Sequence, residues 1–97
     1  MATTSQKILL NGRKDEFPGL IEGRVVHFVL DRGPNIGRHI SALVIDVWFD
    51  EEGNRTGFVG LRIFPAVRDE IASLRLVSVA YDSSGSKPGT WSWIERV

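Results

Sequence analysis

The chain has 97 residues, 42% hydrophobic and 25% charged, with 12 Lys plus Arg balancing 12 Asp plus Glu and no cysteine. That length allows one small core and hence one domain, the neutral balance supplies no global positive field for generic nucleic-acid binding, and the absence of thiols excludes disulfides and thiolate metal sites and suits a reducing cytoplasm. No apolar run approaches the roughly 20 residues that span a bilayer, and the start, Met1-Ala2-Thr3-Thr4-Ser5-Gln6-Lys7, lacks the basic-then-apolar pattern of a signal peptide.

Residues 1–23 are the least patterned stretch and read as an N-terminal arm. It carries two apolar islands, Ile8-Leu9-Leu10 before an Asn11-Gly12 turn and Phe17-Pro18-Gly19-Leu20-Ile21, which can pack on the rest of the domain or on another subunit. Residues 24–97 form the single domain. Arg24-Val25-Val26-His27-Phe28-Val29-Leu30 has the branched and aromatic content of a strand, and the Gly- and Pro-containing stretch 31–37 breaks it. Residues 40–50 form the clearest strand, with Leu43, Ile45, Val47 and Phe49 on an aliphatic face and Ala42, Val44, Asp46 and Trp48 opposite. The polar turn at 50–54 predicts a hairpin to a strand carrying Val59, Leu61 and Ile63 on one side. Aligning the two apolar faces makes Asp46 and Arg62 near neighbours on the second face, suited to an ion pair.

Pro65 and the short run that follows predict one or two helical turns over 66–72. Residues 74–81 return to strand composition, with apolar side chains on both faces and therefore burial on both. A Ser- and Gly-rich loop at 82–89 precedes the final strand, in which Trp91 and Trp93 share one side and Thr90, Ser92 and Ile94 the other. Five or six short strands separated by turns predict an all-β fold, a small antiparallel barrel of SH3-like or OB-like type.

The chemical inventory points to binding rather than catalysis. No serine lies in a nucleophile elbow, two histidines fall short of a zinc set, and Gly33-Pro34-Asn35-Ile36-Gly37 lacks the Gly-Lys-Ser/Thr ending of a phosphate loop. No enzyme activity, metal or cofactor is expected. His27, on a face with Val25 and Val29, reads as a histidine at the core edge. Arg38 and His39, with Arg32, can cup a phosphate or carboxylate, or can simply form a solvated loop. Trp91 and Trp93 either fill a small core or make a platform for a planar ligand; Trp48 and Arg62 on the mixed face, and Lys87 on the loop before the tryptophans, favour the platform. The candidate ligand-binding residues are thus Arg38, His39, Trp48, Arg62, Lys87, Trp91 and Trp93.

His27-Phe28-Val29-Leu30, Arg38-His39, Leu61-Arg62-Ile63-Phe64, Val77-Ser78-Val79-Ala80-Tyr81 and above all Lys87-Pro88-Gly89-Thr90-Trp91-Ser92-Trp93 resemble a group of small bacteriophage proteins. The similarity spans about residues 24–95 and departs from the group at Phe64-Pro65-Ala66-Val67-Arg68-Asp69. The resemblance implies phage origin and action in the cytoplasm of an infected bacterium, and it transfers no catalytic residue. The expected role is a non-catalytic, homo-oligomeric binding protein that sequesters a host signalling nucleotide or inhibits a host defence protein. The alternative is a virion accessory, decorating the capsid or associated with the tail.

Overall fold

The computed structural model describes residues 16–94, and it is all-β. Strands β1 (Val25–Val29), β2 (His39–Phe49), β3 (Arg55–Phe64) and β4 (Arg75–Val79) form an antiparallel meander, and β5 (Trp91–Ser92) returns beside β1, giving the order β4-β3-β2-β1-β5. A parallel bridge between Tyr81 and Trp91 ties the chain beyond β4 back to β5, so the sheet curls into a half-barrel. The expected short helical connector is a single 3₁₀ turn, Val67–Asp69. The β2–β3 hairpin turns where expected: the Asp50 carboxylate accepts the backbone N–H groups of Glu52 and Asn54, each at 2.9 Å, and Gly53 takes φ +87°.

The concave face holds the core: Val26 and Phe28 from β1, Ile40, Ala42 and Val44 from β2, Val59, Leu61 and Ile63 from β3, and Val79 and Trp91. Phe17 and Leu20, from the stretch read as an arm, also belong to it. That part of the arm packs on the barrel; the Ile8-Leu9-Leu10 island lies outside the described residues.

The expected core face of β2 is inverted along most of its length. Ile40, Ala42 and Val44 point inward, because β1 and β3 pair with β2 in the register that sets Ala42 beside Val26 and Ile63. Val44 pairs with Leu61 and Asp46 with Gly60, leaving Ile45 as an extra residue in the strand. This bulge reverses the alternation, so Val47 packs on the core while Asp46 and Trp48 stay outside. Asp46 and Arg62 do share the outer face, but Asp46 lies across from Gly60 and Arg62 across from Leu43, and the two form no ion pair. Gly60 makes room for this arrangement: a Cβ there would meet Asp46 Cβ and Oδ2 at 3.2 Å.

β4 is an edge strand, not one buried on both sides: Val77 is 66% exposed. A second bulge explains the misreading. Leu61 pairs with Leu76 and Val59 with Val79, so two residues of β4, Val77 and Ser78, face one of β3 and the alternation again slips.

Candidate functional site

The residues expected to form one site are spread over the barrel. Trp91 is fully buried, and its Nε1 donates to the Gly57 carbonyl at 2.7 Å. Its ring meets Tyr81 at 4.8 Å, Phe17 at 6.1 Å and Trp93 at 5.1 Å. The two indoles stand at 86°, edge to face, so they make no flat platform. Trp91 is a core residue, because a half-barrel this small needs one large side chain to fill its open end.

Arg38 is likewise committed. Its Nε donates to Asp69 Oδ1 at 2.8 Å and its Nη2 to Oδ2. Asn35 Nδ2 also donates to Oδ1, at 3.1 Å, and the Ala66 N–H to Oδ2, at 2.7 Å. Asp69 is fully buried at the 3₁₀ turn, and these donors, Arg38 foremost, hold its carboxyl well below the ordinary value. Arg32 pairs with Asp31 at 2.7 Å. The anion cup expected from Arg32, Arg38 and His39 is therefore not assembled: Asp31 and Asp69 take the two guanidinium groups, and the His39 ring bonds the Gly85 carbonyl instead.

His39 faces the outer side, where it joins Trp93 at a cavity of about 240 Å³ closed by Tyr81, Ser92 and the loop at Ser83, Ser84 and Gly85. The imidazole Nε2 bonds to the Gly85 carbonyl. A carbonyl only accepts, so Nε2 donates this bond. The His27 ring stands 5.4 Å from that of His39, and His27 pairs across the sheet with Ser41 and Ser92. It is thus half-buried on the outer face beside the cavity.

The loop covering this cavity is held by one carboxylate. Asp82 accepts from the Ser84 hydroxyl at 2.7 Å and from the Lys87 N–H at 3.0 Å, with the Ser84 and Ser86 N–H groups close by. These donors, the Ser84 hydroxyl first, lower its pKa. Gly85 takes φ +68°, and a Cβ on it would lie 3.4 Å from both His39 Cε1 and Ser92 Oγ, so the loop rests directly on the sheet. Lys87 contributes backbone to this loop, while its side chain is exposed and lines no part of the cavity. Arg24, absent from the expected set, lies with its guanidinium carbon 5.2 Å from the Trp93 ring centre.

Trp48 and Arg62 lie elsewhere. The Trp48 Nε1 donates to the Val77 carbonyl at 3.3 Å, at the β4 bulge, and the ring borders a separate groove with Thr56, Phe58 and Ser78. Arg62 is exposed between Leu43 and Arg75. Of the seven expected residues, the structure brings only His39 and Trp93 to one cavity. It adds Tyr81, Ser83, Ser84 and Ser92, which sequence reasoning missed: the Ser-rich loop reads as a plain connector, and only the Tyr81–Trp91 bridge brings it over β5.

Among the described residues no three His, Cys, Asp or Glu side chains converge as a metal site would require, and no helix is long and apolar enough to cross a membrane. Compared with known proteins, the chain matches no protein family, and no curated protein or solved structure is significantly similar to it.

Proposed function

We propose that this chain is a non-catalytic, phage-encoded binding protein acting in the host cytoplasm, and that its outer cavity holds the base or phosphate end of a small nucleotide-like ligand. The observation that supports this reading is the lining itself: His39, Trp93, Tyr81 and the serines Ser83, Ser84 and Ser92 border one recess, with the Ser84 hydroxyl held by Asp82 behind it. Its volume of about 240 Å³ is below the roughly 300–1,000 Å³ of sites for larger ligands, so it suits one ring or one phosphate with the remainder outside. Arg24 against Trp93 places a positive charge next to one of the lining residues. Retention of a host signalling nucleotide is the role that fits this chemistry together with the phage-like Pro-Gly-Thr-Trp-x-Trp ending.

The test is a thermal-shift and NMR titration with linear and cyclic nucleotides and with inorganic phosphate. A ligand of this class raises the melting temperature by mass action, by the equivalent of about 2.7 kcal/mol at a hundredfold excess over Kd, and moves the resonances of His39, Ser84 and Trp93. His39→Ala and Ser92→Ala reduce the shift while the fold persists. No shift and no perturbed resonance across the panel would overturn the reading. A second reading, an inhibitor of a host protein or a virion accessory, is supported by Val25 and Phe64, 47% and 49% exposed on the outer face. Stoichiometric copies in purified particles would favour the virion role, and symmetric self-association suits either.

A further inference from the structure

The outer face of the sheet carries charges that find no partner within the described molecule. Arg62 and Arg75 stand directly opposite one another on β3 and β4. The Ile63 N–H donates to the Leu74 carbonyl at 2.9 Å, so the next pair along, Arg62 with Arg75, is of the non-hydrogen-bonded kind, in which side chains lie nearest and like charges destabilise. Among the described residues neither guanidinium meets a carboxylate, and Asp46, exposed on the same face, meets no cation.

Trp48 completes the arrangement. From β2 its Nε1 reaches the Val77 carbonyl on β4, so the indole crosses β3. It does so at the level of Gly60, which pairs with Asp46 on one side, faces the Val77–Ser78 bulge on the other, and has no side chain of its own. A half-exposed indole beside an unpaired carboxylate is a seat for a guanidinium, through cation–π and ion-pair attraction together. Arg62 lies only two residues farther along β3, about 7 Å away on the same face. The outer row of β3 therefore runs Phe58, Gly60, Arg62, Phe64, with a half-exposed aromatic at each end, the seat beside Gly60 and a guanidinium at 62. A two-fold axis at the level of Leu61 exchanges the two halves of this row. It lays Arg62 of each copy over Trp48 and Asp46 of the other, and Phe64 against Phe58.

We propose that two copies of this chain associate face to face through the outer surface of β2 and β3, as aligned sheets related by that axis, each supplying the guanidinium that the other seats. None of these contact residues lines the ligand cavity, so the dimer and the nucleotide reading fail independently. The test begins with the full wild-type chain. Sedimentation at NMR concentration is expected to give twice the mass of one chain, and a mixture of labelled and unlabelled protein to show cross-relaxation between the Phe58 and Phe64 rings in an isotope-filtered spectrum. Within one molecule those residues are six apart on a strand, roughly 20 Å, too far for such a signal. Asp46→Arg and Arg62→Asp each set like charges against one another across the axis, and each alone is expected to sediment as a monomer. Mixed in equal amounts, the two variants oppose unlike charges again and the dimer returns. A wild-type monomer, or a wild-type dimer without the Phe58–Phe64 signal, would overturn the proposal, and neither result depends on a variant folding. So would folded variants that dimerise alone as the wild type does, or that stay monomeric when mixed.

Discussion

Trp91 links β5 to three other parts of the core. It is fully buried, bonds the Gly57 carbonyl through its Nε1, and contacts Phe17, Tyr81 and Trp93. Trp91→Ala is expected to cost about 3–5 kcal/mol in urea denaturation, the range for removing a large aromatic from a core. A loss below about 1 kcal/mol would show that the open end of the barrel is loosely packed. Asp69 acts differently, through charge. Its folded carboxyl is held below the ordinary value of 3.8, so its contribution is complete above that value and is lost as pH falls through the depressed one. Acid titration of stability should therefore show a steep decline in the wild type. The decline becomes shallower in Asp69→Asn, which is also less stable at neutral pH because Arg38 loses its ionic partner. Parallel acid profiles for the two proteins would refute this assignment.

At the scale of elements, the two bulges do most to set the outer surface. The one at Ile45 turns Asp46 and Trp48 outward, and the one at Val77 and Ser78 leaves a backbone carbonyl that the Trp48 indole satisfies. Among the described residues β4 ends the sheet, pairing only with β3. Native-state hydrogen exchange should accordingly find the β4 amides opening at a fraction of the global free energy, whereas Val44, Leu61 and their neighbours in β2 and β3 exchange only by global unfolding. Equal protection across both strands would mean that the β4 edge is covered. The strands themselves were legible in sequence because branched and aromatic residues cluster between Gly, Pro and Asp. Their inward faces were less so, since an alternation argument assumes unbroken register and a single inserted residue inverts it.

For the whole molecule, two residues of the stretch before β1 matter to the core. Leu20 is fully buried and Phe17 is seated on Gly57, while the residues around them are exposed. Leu20→Ala should lower global stability by about 2–5 kcal/mol and keep a single unfolding transition, as calorimetry would show. A separate low-temperature transition would mean that this stretch opens by itself. By itself, the sequence determined the fold class, the hairpin at 50–54, a short helical connector after Pro65 and the lack of thiol chemistry, because propensity, turn residues and composition act locally. Only the tertiary structure decided which candidates meet. Burial separates Trp91 from Trp93, a carboxylate thirty-one residues away takes Arg38, and a parallel bridge folds the serine loop over His39. Each of these depends on register and closure between distant segments, and those are settled by the packing of the whole core rather than by any stretch of residues along the chain.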